Sequence, residues 1–249
     1  MFYPLFRWLW LSILWLDHAI FTLLLYLLSW LPHAWTRSWY PRLFWRWSAS
    51  FGRALGVDLK LHQKNERPIP KPYLLIANHP SAFEDMGIPA LFDVYNLGKI
   101  EVKSWWIVGR ISAAAGTLYV HRESRESRQA AKQEIIETLQ AGRNVALYPE
   151  GGCKGRRLFH QFYYGAFDIS LKTGVPILPV FLHYEAQEDF EWQPPYTLLD
   201  KMRHFMTTKN NRANYYVYDV LDPAQFSSKE EYCDYTHSLY KKWQTQYLE

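Results

Sequence analysis

From Trp8 to Leu31 the chain is apolar over 24 positions, interrupted only by Asp17, His18 and a few hydroxyls. That run exceeds the roughly 20 residues needed to cross a hydrocarbon core. It is too long for a signal peptide and lacks the small-residue cleavage site. Asp17 and His18 fall near its centre, where ionisable groups are costly in bare lipid, so the segment either spans with those groups shielded by a second helix or lies tilted in one leaflet. After Pro32, Trp35–Leu55 mixes Trp35, Trp39, Phe44, Trp45, Trp47 and Phe51 with four arginines, the composition of an interfacial helix whose cations meet lipid phosphates. The alternative, a buried hairpin within a larger core, is disfavoured by the length criterion.

Beyond residue 60 the pattern shortens and alternates. Apolar runs of strand length predict β-strands at Tyr73–Ala77, Gly116–Val120, Asn144–Tyr148, Ile177–Tyr184 and Tyr215–Leu221. Between them the helical period predicts helices at Pro80–Leu91, Ser104–Ala115, Glu123–Ala141 and Tyr163–Thr173, the last two closed by Gly142 and Gly174. Lys64–Pro72, with three prolines, reads as a linker, and Ala186–Ala213 as an irregular excursion. Lys229–Leu248 predicts an amphipathic helix with Tyr232, Tyr235, Leu239, Tyr240 and Trp243 on one side. The alternation predicts an α/β domain with a mixed central sheet flanked by helices over residues 61–249, preceded by membrane-associated helices over residues 1–60.

Composition sharpens this picture. With 249 residues, 49% apolar and 21% charged, the chain can bury a core and is neither a disordered tail nor a rod. The aromatic share of 18% suits a membrane–water boundary. Net charge is +4, and residues 1–60 carry all of it, with Arg7, Arg37, Arg42, Arg46, Arg53 and Lys60 against Asp17 and Asp58. A positive excess confined to the aromatic N-terminus points to anionic headgroups and away from nucleic acid, which calls for a basic stripe on the folded domain. If the first segment spans, the positive-inside rule sets these arginines, and with them the domain, on the cytoplasmic face. Cys153 and Cys233 make neither a disulfide framework nor a zinc spacing.

Four short blocks carry candidate chemistry. In Asn78-His79-Pro80-Ser81-Ala82-Phe83-Glu84-Asp85 a predicted strand gives way to a predicted helix. A histidine at a helix N-terminus is held neutral by the dipole, the form a general base needs. Glu84, five residues on, leans back and can fix the imidazole tautomer; otherwise His79 caps the helix and Glu84 is solvated. Lys99, Glu101, Gly109, Gly116 and Arg122 form the second block, in which an arginine after a strand can clamp phosphate. The third, Tyr148 to Gly155, joins Glu150 to a Gly151-Gly152 turn where backbone can approach a ligand. Val175 to Val180 is apolar and suits packing or an acyl path.

In order and spacing, over about residues 35–185, these blocks resemble the glycerophospholipid acyltransferase family, best known for 1-acylglycerol-3-phosphate acyltransferases. His79, four residues and Glu84 match the family's Asn-His block with Glu in place of Asp, and Asp85 follows as an alternative partner. Trp106 stands where Pro is usual, and Gly152 and Cys153 replace a Thr and an Arg after Pro149-Glu150-Gly151. Similar bacterial proteins carry an aromatic, arginine-rich two-helix segment, which favours a partly embedded hairpin at this N-terminus. The resemblance implies an O-acyltransferase: His79, with Glu84 or Asp85, deprotonates a lysolipid hydroxyl, which attacks the thioester of an acyl-CoA or acyl-carrier protein with no acyl-enzyme. Lys99 and Arg122, with Lys154 or Arg156, would hold the acceptor phosphate, and Glu150 and Gly151 its glycerol.

The altered third block makes a different headgroup, such as a lyso-ornithine lipid, an alternative to 1-acylglycerol-3-phosphate. A thioesterase or lipase using Ser81 or Cys153 remains open, although no Gly-x-Ser-x-Gly elbow occurs, as does a non-catalytic lipid-binding protein. No cofactor or metal is expected: His79 with Glu84 is not His-Glu-x-x-His, and His183 with Glu185 is isolated.

Overall fold

The computed structural model describes residues 2–192 and 194–248. The helices are α1 (Phe2–Leu28), α2 (His33–Thr36), α3 (Tyr40–Ala54), α4 (Glu84–Leu91), α5 (Ile100–Lys103), α6 (Trp106–Ala114), α7 (Arg125–Gln140), α8 (Gly165–Thr173), α9 (Gln187–Phe190), α10 (Leu198–Thr207) and α11 (Lys229–Leu248). The strands are β1 (Asp58–Gln63), β2 (Leu74–Ala77), β3 (Val94–Lys99), β4 (Leu118–Val120), β5 (Asn144–Leu147), β6 (Ile177–Tyr184) and β7 (Arg212–Val217).

The strands form one seven-stranded sheet in the order β1-β7-β6-β2-β5-β3-β4. β2 pairs in parallel with both β5 and β6, and β3 in parallel with β5 and β4. β7 runs antiparallel to β6 and parallel to β1, so the sheet is mixed. The C-terminal ends of β2 to β6 therefore share one edge. After β2 the chain moves to one side for β3, β4 and β5, then to the other for β6 and β7. Such a reversal opens a crevice outside the strand ends, where open α/β sheets bind ligands.

Burial explains the elements. Leu74, Leu75, Ile76 and Ala77 of β2 are all fully buried, alternately facing the two cores that cover the sheet. On one face Leu55, Phe83, Ile88, Phe190 and Phe205 pack over Leu75 and Ala77; on the other α7, α8 and α11 cover Leu74 and Ile76. The C-terminal helix is anchored from within, since the Tyr240 hydroxyl donates to the Ile76 carbonyl at 2.8 Å and accepts from the Val180 N–H at 3.2 Å. Tyr232, Tyr240 and Trp243 lie on its buried side as expected, whereas Tyr235 is exposed.

α1 and α3 pack as a hairpin with polar ties inside. His18 Nδ1 pairs with the Ser50 hydroxyl at 2.8 Å, and the Trp47 indole donates to Thr22 at 2.7 Å and stacks on His18. Trp15, Phe51 and Leu55 reach the main core, so hairpin and sheet share apolar packing. The opposite face of α1 exposes Leu9, Ile13, Leu16, Ile20, Leu23 and Leu27.

Three features depart from the sequence expectation. β1 precedes the proline-rich stretch at 64–72 and pairs with β7, so that stretch joins two strands, and the expected boundary at residue 60 falls inside β1. β3 was not expected, because Asn96 and Gly98 depress strand propensity and only pairing between β5 and β4 supports it. The region 186–213 holds α9 and α10; Thr197 and Asp200 close a capping box at the start of α10, and Lys201 is buried with its ammonium on the carbonyls of Glu188 and Asp189.

Candidate active site

His79 follows β2 directly, on the shared strand edge. The preceding Asn78 clasps β6, donating to the Leu182 carbonyl at 3.0 Å and accepting from the Leu182 N–H at 2.7 Å, which locks the backbone that carries the imidazole. His79 Nδ1 meets Glu84 Oε2 at 2.8 Å; His79 is 4% exposed and Glu84 0%. The same carboxylate oxygen accepts the Ser81 N–H at 3.0 Å, and Oε1 accepts the Tyr184 hydroxyl at the end of β6. The Tyr148 ring stacks on the imidazole with centroids 4.0 Å apart. Nδ1–H donating to Glu84 leaves Nε2 as the bare, accepting nitrogen.

The helix begins at Glu84 and not at Pro80, so the dipole at its N-terminus is not what keeps His79 neutral. Burial is: it pushes the His79 pKa down, and the nearby charges of Arg122 and Lys99 add to this while Asp85 and Glu150 oppose it. Burial likewise pushes Glu84 well up, and hydrogen bonds from Tyr184 and Ser81 pull it back. Asp85, the alternative partner, is exposed and acts on His79 only through its charge.

Glu150 is buried and engaged. Its two oxygens accept the backbone N–H groups of His79 and Phe159, both at 2.7 Å, so the carboxylate ties the histidine loop to the loop after β5 instead of facing outward to a glycerol hydroxyl. Gly151 takes a left-handed φ of 73°, and a Cβ there would lie 2.7 Å from the Tyr163 ring. Its carbonyl accepts from Arg122 Nη1 at 2.7 Å. Lys99, at the end of β3, and Arg122, just past β4, therefore flank His79 on the β3–β4 side of the edge.

Lys154 and Arg156 lie elsewhere, toward β6. Arg156 is held by the side chain of Glu191 through both its N–H and Nε, each at 2.9 Å, and the Lys154 ammonium sits 4.6 Å from the centroid of the Phe159 ring. Of the four cations expected around the acceptor phosphate, Arg122 reaches the start of the loop after β5 at Gly151, while Arg156, farther along the same loop, is engaged by Glu191.

Cys153 Sγ lies 3.4 Å from His79 Nε2 and 3.3 Å from the Ser81 carbonyl. Burial pushes its thiol pKa up, so it is a protonated donor at neutral pH. Tyr148, Tyr184 and this thiol contact were not anticipated from the sequence; the only hint was an aromatic residue ending each of two buried runs. Among the described residues no three His, Cys, Asp or Glu side chains converge to hold a metal ion. A buried, oriented imidazole with a bare Nε2 can remove a proton from a hydroxyl, and the cations beside it can hold an anion.

The crystal structure of the 1-acyl-sn-glycerophosphate acyltransferase PlsC from Thermotoga maritima superposes with a TM-score of 0.66 at 19% identity, covering 98% of this chain and 96% of that one, which establishes the shared fold. Among curated proteins, a 1-acyl-sn-glycerol-3-phosphate acyltransferase of Neisseria meningitidis is 29% identical over 136 residues, 53% of each chain. A lyso-ornithine lipid O-acyltransferase of Pseudomonas aeruginosa is 30% identical over 150 residues, 60% of this chain and 57% of that one. The chain spans about half the length of the curated relatives it matches. The family model for acyltransferases matches residues 58–183, half of the chain and every strand-edge loop from His79 to Cys153, and the protein belongs to the Acyltransferase family.

Proposed function

We propose that the protein is an O-acyltransferase that moves a fatty acyl chain from an acyl thioester to the free hydroxyl of a lysophospholipid, with 1-acylglycerol-3-phosphate as acceptor and phosphatidic acid as product. The observation that carries this reading is the buried His79–Glu84 pair, whose bare Nε2 faces the loop after β5 with the charges of Arg122 and Lys99 close enough to act on the ring. Lys99 and Arg122 hold the acceptor's phosphate and set its hydroxyl at Nε2. As the hydroxyl attacks the thioester carbonyl, its proton passes to Nε2, and Glu84 stabilises the imidazolium. Collapse of the tetrahedral intermediate breaks the C–S bond, and the imidazolium returns the proton to the departing thiolate. No acyl-enzyme is needed. Gly152 and Cys153, in place of Thr and Arg, remove two donors from the acceptor side, which supports lyso-ornithine lipid as the second acceptor to test.

Cys153 beside His79 supports one competing reading, a thioesterase with a cysteine nucleophile. Its raised pKa and its bond to the Ser81 carbonyl weigh against that role.

The apolar outer face of α1 supports membrane association. Phe6–Leu28 is long and apolar enough to cross a bilayer, but Asp17 is exposed midway along it while His18 is turned inward to Ser50. A carboxylate facing lipid at the bilayer centre is costly, which favours a hairpin lying in one leaflet. The catalytic domain, from β1 onward, faces the cytoplasm in this reading because acyl-CoA and acyl-carrier protein are found there.

The test is thiol release from palmitoyl-CoA and palmitoyl-carrier protein by purified protein, across lysophosphatidic acid, other lysophospholipids and lyso-ornithine lipid. Release should require an acceptor and fall about 10²–10⁴-fold in His79→Ala. Release without acceptor, lost in Cys153→Ala, would establish the thioesterase instead; no release with any pair would leave a lipid-binding protein.

A further inference from the structure

β6 ends at Tyr184, on the strand beside the one that leads to His79, and the Tyr184 hydroxyl donates to Oε1 of Glu84. The ring that carries this hydroxyl is buried, stacked on Phe190 with centroids 4.3 Å apart and meeting Phe83 edge-on at 6.4 Å. Asn78 clasps Leu182 two residues earlier on β6, so the end of that strand and the histidine loop are tied together. We propose that Tyr184 is a positioning residue: its hydroxyl holds Glu84 as a carboxylate, and that carboxylate holds the His79 ring with its proton on Nδ1 and Nε2 bare. The inference rests on the acyl-transfer reading above and deepens it by adding a residue of β6 to the groups that prepare the base.

A carboxylate shut away from water keeps its charge only where cations or hydrogen-bond donors replace the solvent. Among the described residues no lysine or arginine pairs with Glu84, so the charge depends on donors. His79 Nδ1 and the Ser81 N–H both reach Oε2, and Tyr184 serves Oε1. The other titratable groups around the carboxylate are Asp85 beside it on α4, Tyr148, Glu150 and Cys153 from the loop after β5, and Tyr215 from β7. None of these is a cation, and Arg122 and Lys99 act on the imidazole. Burial and the Glu84 charge push the Tyr184 hydroxyl well up, so it stays protonated and remains a donor.

Without that hydroxyl Glu84 takes up a proton at higher pH. A neutral carboxyl either donates to Nδ1, which moves the ring proton onto Nε2, or accepts from Nδ1 without the charge that an imidazolium needs. Both forms make His79 a poorer base. Because the two groups titrate as a pair, the loss is read as one apparent value for the pair.

The experiment follows kcat and KM with pH for wild type, Tyr184→Phe, Glu84→Gln and the double variant, with palmitoyl-CoA and lysophosphatidic acid. Tyr184→Phe keeps the ring that packs on Phe190 and removes only the hydroxyl. Its kcat should fall about tenfold or more, the usual effect of losing a hydrogen bond to a charged group, with KM for both substrates unchanged. The acid limb of its profile should move up by about one pH unit or more. In the Glu84→Gln background the same change should cost less than about twofold, because its effect runs through the carboxylate. An equal loss at every pH, or a loss independent of Glu84→Gln, marks a packing role and overturns the proposal. A rise in KM alone puts the hydroxyl on a substrate and overturns it too. Fluorotyrosine in place of Tyr184 preserves the side chain's shape and makes the hydroxyl a stronger donor, so the acid limb should move to lower pH; a limb that stays in place refutes the proposal.

A second readout needs no turnover. In protein with isotope-labelled histidine, read by nitrogen NMR and with the His79 signals assigned from His79→Gln, wild type at neutral pH should show Nδ1 protonated and Nε2 bare. The His79 signals of Tyr184→Phe should titrate at higher pH than those of wild type. Identical titrations refute the proposal. The expected difference supports it even if no acceptor is acylated, a result that would defeat the acyl-transfer reading alone.

Discussion

Glu84 has three donors aimed at one buried carboxylate, from His79, Ser81 and Tyr184, and this arrangement sets the residue-scale expectations. Glu84→Gln keeps the side chain's shape but removes the charge that stabilises the imidazolium, so kcat should fall on the order of 10²-fold with little change in KM. The pH profile follows from the sign of the His79 shift. A general base works when neutral, and burial lowers its pKa; kcat/KM should therefore hold its plateau as the pH drops through the ordinary histidine value of about 6.5, with the acid limb lying lower still. An acid limb centred above that value would refute the buried-base reading. Cys153→Ala should retain acceptor-dependent transfer, and Cys153 itself should react slowly with iodoacetamide at neutral pH because its thiol is held protonated. Rapid alkylation, or complete loss of transfer in Cys153→Ala, would revive the nucleophile.

Elements matter because they deliver these side chains from distant parts of the chain. α4 presents Glu84 while packing on α3, and at Gly87 it meets the tip of a β7 side chain: a Cβ there would lie 1.9 Å from the Tyr215 hydroxyl. Gly87→Ala should cost about 1–3 kcal/mol of stability through overpacking, read from urea unfolding. Adding Tyr215→Phe should recover part of that loss, because it removes the atom in the way; strictly additive effects would mean that the contact is not the cause. α4 and its loop were the most legible part of the sequence, since His79 and Glu84 are only five residues apart. Pro80 suits a first turn and so predicts a helix from residue 80, whereas the chain uses residues 80–83 as a turn that brings the Glu84 carboxylate back to His79 and Ser81.

At the scale of the whole molecule, a sheet that carries His79 at the end of β2 is joined to a hairpin whose outward face is apolar. Leu16 and Leu23 on that face are 63% and 60% exposed, so they contribute little to the packed core. Leu16→Glu/Leu23→Glu should weaken partition onto anionic phospholipid vesicles more than tenfold, since each buried leucine side chain is worth about 1.5–3 kcal/mol. Activity on detergent-dispersed substrate should be preserved. Unchanged partition in a flotation assay would remove α1 from the membrane contact.

By itself the sequence determined what local spacing encodes. The order of four blocks, the alternation of buried runs with helical periods, the His79–Glu84 pair and the apolar, aromatic N-terminus all follow from residues close together along the chain. The tertiary structure alone decided which distant groups meet. Tyr184 reaches Glu84 across 100 positions and Cys153 reaches His79 across 74. β3 is a strand only because β5 and β4 flank it. Glu191 holds Arg156 across 35 positions and the Gly151 carbonyl holds Arg122 across 29. Sheet order is fixed by long-range pairing and by burial on both faces, which local periodicity does not record.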